Sequence, residues 1–143
     1  MSIVACPQCG KKNRVQDIEH GRPKCGHCQS NLPWVVNADD VSFTSATDTR
    51  LLTLVDLWAP WCGPCRLVAP VLEQLASAYA GRLKVVKVNV DESPQLASKF
   101  QATSIPTLLL LHEGNVLDTV VGAQPEHVLR QRIDSLLPTI EMN

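Results

Sequence analysis

Six cysteines, all of them in three Cys-x-x-Cys pairs, constrain this chain more than any other feature. The pairs are Cys6–Cys9, Cys25–Cys28 and Cys62–Cys65. The N-terminus "MSIVACPQCGKK" has no charged segment leading into an apolar core, so no secretory leader is expected, and no apolar run is long enough to span a bilayer. A reducing, cytoplasmic location is the expectation. There, such pairs signal metal binding or redox catalysis rather than structural staples.

The three pairs occupy different contexts. Residues 1–32 are rich in turn formers (Pro7, Gly10, Gly21, Pro23, Gly26) and show no helical or alternating apolar period. They read as loops. The segment is too short and too polar to fold unaided, so it needs a metal or a partner surface. Its first two pairs give Cys-x2-Cys-x15-Cys-x2-Cys, the spacing of a tetrahedral four-thiolate zinc site. Gly10 after Cys9 and Gly26 inside the second pair supply permissive turns that let backbone N–H groups face sulfur. One structural zinc held by Cys6, Cys9, Cys25 and Cys28 is expected, and no organic cofactor. His27 reads as a solvated neighbour; His20, His112 and His127 read as surface or packing residues.

Cys62 instead follows the apolar run Leu51–Trp58, which has the texture of a strand buried on both faces. It opens a segment, Pro64–Ala80, that aligns Val68, Val71, Leu72, Leu75 and Tyr79 on one helical face before Gly81 stops it. The open N–H groups and dipole of a helix N-terminus favour a thiolate, the nucleophile of disulfide exchange. Cys62 is therefore expected to be exposed and low in pKa, and Cys65, one turn inward, buried and protonated. Pro64 stiffens the first turn without removing a needed hydrogen bond. Asp56 interrupts the apolar strand. A lone buried carboxyl should titrate high and is suited to accept the Cys65 proton.

The remaining pattern continues with an alternating strand at Leu83–Asp91, a short helix at Ser93–Phe100, a buried strand at Thr107–His112, a turn at Glu113–Asn115, a strand at Val116–Val121 and a helix at Gln124–Leu137. Crossovers followed by a hairpin make a mixed central sheet with helices on both faces, an α/β sandwich. The expected division is a zinc-ribbon-like module at 1–33 and an α/β domain at 34–143.

Net charge is −1, split into a basic module (Lys11, Lys12, Arg14, Arg22, Lys24 against Asp17 and Glu19) and a mildly acidic remainder. Five charges on so short a segment read as a solvated face, so neither nucleic acid nor membrane is an expected partner.

The segment "VDLWAPWCGPCRLVAPVLEQLA" resembles the active-site segment of thioredoxins, and the likeness runs through "VKVNVDE", "SIPTLLLLHEGNV" and "VVGA" over roughly residues 34–138. With its four-cysteine extension, the chain is similar to the zinc-containing bacterial members of that family. The resemblance implies the thioredoxin fold and a monomeric protein-disulfide reductase, recycled by an NADPH-dependent thioredoxin reductase. It assigns Cys62 as attacking cysteine, Cys65 as resolving cysteine, Asp56 as buried proton acceptor, Lys87 as its neighbour and Pro106 as a cis-proline facing the dithiol. It also implies a substrate groove lined by Trp61, Gly63, Pro64, Ile105, Gly122 and Ala123. Two departures stand out: Leu57 where the family has an aromatic, and "DDVSFTSATDTR" (39–50) without the family's amphipathic helix. "CGHC" at Cys25–Cys28 is also the disulfide-isomerase tetrapeptide, but no buried strand or acid precedes it and no helix follows. Two other functions remain in view, a zinc-dependent docking module and a sensor whose zinc thiolates oxidise.

Overall fold

The computed structural model describes residues 2–17 and 21–141; His20 lies outside them. Two short strands, β1 (Ser2–Ala5) and β2 (Lys12–Val15), pair antiparallel as a hairpin. This corrects the reading of 1–32 as loops: strands of four residues with mixed polar faces leave no period to detect. Next come β3 (Val35–Ala38), a four-residue α1 (Phe43–Ala46), β4 (Leu52–Trp58) and α2 (Gly63–Ala78). The chain continues through β5 (Leu83–Asn89), α3 (Pro94–Lys99), β6 (Thr107–His112), β7 (Asn115–Val121) and α4 (Glu126–Glu141).

The main sheet runs β3-β5-β4-β6-β7, with β3 and β4 parallel to β5, and β6 antiparallel to both β4 and β7. Its mixed character agrees with the expectation, although β3, an edge strand ahead of the first apolar run, was not anticipated. The β6–β7 link is tighter than expected. Glu113 (φ 50°) and Gly114 (φ 85°) alone make the turn, both left-handed, as a type I′ hairpin turn requires.

Alternation along the central strands feeds two cores. On one face Leu52, Leu54, Leu83, Val85, Leu108 and Leu110 meet Val68, Leu72 and Leu75 of α2 and Leu129, Ile133 and Leu137 of α4. On the other, Val55, Leu57, Val86, Val88, Leu109 and Leu111 meet Phe43 of α1 and Leu96 of α3. Leu57, the departure from the family's aromatic, fills this second core and is fully buried. Strand β5 is covered on both faces rather than half-buried, because even Lys84 is only 1% exposed. α4 runs on past Leu137 through Pro138, and Ile140 packs against the α2–α4 core.

The second core does not end at the main sheet. Cys6, Val15, Cys25, Leu32 and Trp34 belong to it. Trp34 donates from Nε1 to the Gln16 carbonyl at 2.9 Å. The Lys84 ammonium lies 3.9 Å from the Trp34 ring and donates to the Asp17 carbonyl at 2.7 Å. The N-terminal hairpin is thereby fastened to β5.

Candidate functional site

Cys62 caps α2. Its backbone is extended (φ −86°, ψ 112°), its Sγ accepts from the Cys65 N–H at 3.2 Å, and Pro64 occupies the first turn. Sulfur here does what a serine or aspartate oxygen does at other N-caps. Three-residue spacing on the first turn brings the Cα atoms of Cys62 and Cys65 to 5.3 Å, and the two sulfurs are bonded.

The expectation of an exposed Cys62 above a buried Cys65 needs correction: both are 4% exposed. The bonded pair is packed with Ala59 against Trp58, Val90 and Ile105, and Cys62 Sγ sits 3.7 Å from the Ile105 carbonyl oxygen. The Ile105–Pro106 peptide bond is cis. Gly122, at φ 90°, donates its N–H to the Pro106 carbonyl at 2.8 Å, a backbone conformation that side chains rarely adopt. Trp61 stands 68% exposed beside the pair, its Nε1 bonded to Asp91 Oδ2 at 3.0 Å.

Asp56 is 1% exposed and faces Lys87 in the β4–β5 register. Alternation puts both on the α2 side of the sheet, the side to which Cys65 and Val68 turn. Asp56 Oδ1 has no hydrogen-bond partner among the described residues. Burial pushes its carboxyl up to about 6, against the opposing pull of the Lys87 ammonium. Lys87 Nζ lies 5.1 Å from the centroid of Trp58, on the strand end that leads into the dithiol loop.

At the other end of the chain, Cys6, Cys9, Cys25 and Cys28 converge, with all four sulfurs within 4.8 Å of one another. The Cys6–Cys28 and Cys9–Cys25 sulfur distances are 3.5 and 3.6 Å. Four thiolates at about 2.3 Å from a tetrahedral zinc would stand about 3.8 Å apart, so the set fits the ion. The two knuckles repeat one design. The first cysteine of each is buried and its N–H is bonded, Cys6 to Lys11 O and Cys25 to Ser30 O. The residue after the second cysteine returns its N–H to the first, Gly10 to Cys6 and Gln29 to Cys25. That residue is left-handed in both (φ 78° and 68°), so in the second knuckle the turn falls on Gln29, not on Gly26 as the glycine count suggested.

Several supporting residues carried no sequence signal. Asn13 donates to Cys25 Sγ at 3.5 Å and accepts from the Gly26 N–H at 2.9 Å, tying β2 to the second knuckle. Ser30 Oγ lies 3.3 Å from Cys28 Sγ. The Cys28 N–H leads the contacts, with Asn13 and the His27 N–H behind it, that hold the Cys25 thiol down to about 6. Arg66 braces the loop before the dithiol by bonding the Pro60 carbonyl at 2.8 Å. His27 and His127 are exposed, and His112 Nε2 meets the Arg50 carbonyl at 3.1 Å.

A vicinal cysteine pair at a helix N-terminus, facing a cis-proline loop on a mixed sheet, defines a dithiol–disulfide exchange protein. The thioredoxin family model matches residues 34–135. Thioredoxin 1 of Nostoc sp. is 52% identical over 90 residues, 63% of this chain and 84% of that protein. The thioredoxin of Bacillus subtilis is 45% identical over 103 residues, 72% of this chain and 98% of its own. The chain belongs to the thioredoxin family and is a thiol-disulfide oxidoreductase, a protein-disulfide reductase. The four-cysteine cluster lies outside the matched residues.

Proposed function

We propose that the protein reduces disulfides of other proteins through a Cys62/Cys65 dithiol–disulfide cycle. The observation that carries this reading is the bonded pair at the α2 N-terminus, with Cys62 Sγ already accepting the Cys65 N–H. In the reduced form that N–H and the helix dipole stabilise a Cys62 thiolate. The thiolate attacks one sulfur of the substrate disulfide. A Cys62–substrate disulfide forms and the other substrate sulfur leaves as thiolate. Cys65 then gives its proton to the Asp56 carboxylate and attacks Cys62. The Cys62–Cys65 disulfide forms as the Cys62–substrate bond breaks, and the second substrate sulfur leaves as thiolate to take up a proton from Asp56 or solvent, two electrons having passed to the substrate. Asp56 is suited to this step because its carboxyl titrates near neutrality, and Lys87 keeps it from rising further. Trp61, Gly63, Pro64, Ile105, Gly122 and Ala123 form the groove in which the substrate backbone lies, with the cis-proline Pro106 facing the dithiol. Support comes from the exposed Trp61 and from the Gly122–Pro106 bond that sets the groove wall beside the cis-proline.

An NADPH-dependent thioredoxin reductase restores the dithiol, in the cytoplasm, where that reductant is at hand. Residues 1–33 act as a zinc module beside a thioredoxin domain at 34–143. The start of the family match at residue 34 supports the division, and the tetrahedral fit of Cys6, Cys9, Cys25 and Cys28 supports one structural zinc.

The test is insulin-disulfide reduction with a thioredoxin reductase system. Cys62→Ser should lose turnover entirely. Cys65→Ser should accumulate a mixed disulfide visible by mass. Normal turnover by Cys65→Ser would overturn the division of roles.

A further inference from the structure

Four large apolar side chains stand exposed at one end of the sheet: Val41 (91%), Trp61 (68%), Leu67 (71%) and Val121 (53%). The topology puts them there. β3, β5 and β4 are parallel, so the loops after Ala38 and Trp58 emerge together, and β7 ends at the same edge because Val121 pairs with Thr107 and Thr107 with Leu57. Leu67 lies on the outer side of α2, one turn beyond Gly63. The groove of the proposed mechanism uses only the middle of this arc. Val41 lies outside it, over the β3 edge.

Single exposed apolar residues are ordinary on a protein surface. Val41 differs because it is held in place. Asp39 Oδ1 accepts from the Val41 N–H at 3.0 Å, the Ser42 N–H at 2.9 Å and the Ser42 hydroxyl at 3.1 Å. Ser42 Oγ in turn accepts from the Asp39 N–H at 3.0 Å. These bonds hold the Asp39 carboxyl below the usual range, the Ser42 N–H leading. The next residue, Asp40, reaches across to the start of α3, accepting from the N–H groups of Gln95 (3.1 Å) and Leu96 (2.9 Å). The loop before α3 carries Asp91, which holds Trp61. Val41 and Trp61 are thus presented by one hydrogen-bonded frame, and neither loop must be ordered when a partner arrives, which lowers the cost of binding.

We propose that Val41 is a specificity-determining contact for folded protein substrates, the outer end of a docking surface that runs across the dithiol end of the sheet to Val121. The occupant is a folded disulfide protein, and the inference rests on the disulfide-reductase reading. Scale decides this against a small disulfide. Five strands about 4.8 Å apart span about 19 Å. A standard interface covers about 800 Å² on each partner, a patch about 30 Å across, so an interface centred on Cys62 reaches Val41 and Val121 alike. A small disulfide seated at Cys62 does not reach Val41, two strand spacings away.

The experiment compares parent, Val41→Ser and Val41→Asp in the reduced full-length zinc protein, measuring second-order oxidation rates with insulin and with cystamine. The insulin rate should fall about three- to tenfold in Val41→Asp and less in Val41→Ser, as expected for losing one rim apolar contact. The cystamine rate should stay at the parent's value. Melting temperatures should match, since the side chain touches almost nothing in the fold. An unchanged insulin rate in both variants overturns the proposal, as does a parallel loss on both probes, which would place the effect at the dithiol itself. A parent that oxidises with neither probe would fail the underlying reductase reading, an outcome separable from both.

Discussion

Asp56 is where one side chain sets a measurable property of the whole protein. A carboxyl that titrates at 3.8 in the unfolded chain is pushed up to about 6 by burial, so holding it ionised in the folded state costs about 3 kcal/mol. The sign follows directly. Between about pH 4 and 6 the folded chain keeps a proton that the unfolded chain has lost. The stability associated with the neutral carboxyl is therefore complete below about pH 4 and is lost as pH rises through 6. Asp56→Asn removes the penalty. At pH 8 the variant should be more stable than the parent by up to about 3 kcal/mol, and at pH 4 the two should unfold at the same urea concentration. The same variant should resolve its mixed disulfide more slowly. Equal resolution rates across pH 6 to 9 would remove Asp56 from the proton path while leaving the stability result standing. Asp56 was legible in the sequence because an acid inside an apolar strand is costly to ionise, which outweighed the alternative of a paired, purely structural acid at the strand edge. Asp91 and Arg66 were not, because a surface acid and a helix-start arginine look like solvated charges until the loop they hold is seen.

At the level of elements, sequence reading succeeded where a segment was long and apolar on a fixed period: β4, α2, β6 and α4. It missed the four-residue strands, while the absence of a clear amphipathic helix at 39–50 agrees with the four-residue α1. β1, β2, β3 and α1 are each too short to complete a period, and they form because the large core beside them supplies the burial. That same dependence changes the expected result of cutting the chain. Residues 1–32, read as loops around a metal, suggest an appendage whose removal costs nothing. In the fold Val15 and Leu32 are 2% and 1% exposed against Trp34, and Lys84 is satisfied by the Asp17 carbonyl. Deleting 1–32 bares Trp34 and leaves the Lys84 ammonium without that acceptor. The truncated domain should still fold and still reduce small disulfides, because among the described residues none from the module belongs to the Cys62–Cys65 cluster. It should be less stable by about 2–4 kcal/mol, judged from two buried aliphatic side chains and one aromatic surface uncovered. Urea unfolding of the two proteins checks this. Equal midpoints would show that the shared core contributes nothing to the thioredoxin domain. Lys84→Met in the full chain provides a second reading: it keeps the stem over Trp34 and loses the bond to Asp17, so it should destabilise by less than the deletion.

For the molecule as a whole, the two cysteine chemistries sit at separate places in one continuous body. The four-sulfur cluster and the Cys62–Cys65 pair belong to different side-chain clusters, but the first shares its core with β3, β4 and β5, the strands whose far ends carry the dithiol loops. If the four thiolates hold the proposed zinc, its binding and the folding of the module are one event. Two of the four thiols, Cys6 and Cys25, lie in the core, while Cys9 and Cys28 close the cluster from the solvent side. The hairpin, Asn13 and Trp34 form one bonded layer, which Lys84 of β5 ties down through the Asp17 carbonyl. Without the metal, four thiols must share the same space with nothing to offset their crowding, and the hairpin loses most of the free energy that orders it. Protein purified under reducing conditions should carry one zinc per chain, with only Cys62 and Cys65 open to a thiol reagent in the native state. A strong chelator under mild denaturant should release the metal and free all six thiols. It should also lower the unfolding midpoint toward that of the protein lacking residues 1–32, because both treatments remove the same docked layer. Absence of stoichiometric zinc, with six freely reactive thiols in the native protein, would overturn the metal assignment. Zinc loss with no fall in the midpoint would instead show that the hairpin is held by Trp34 and Lys84 alone, with the metal ordering only the two knuckles.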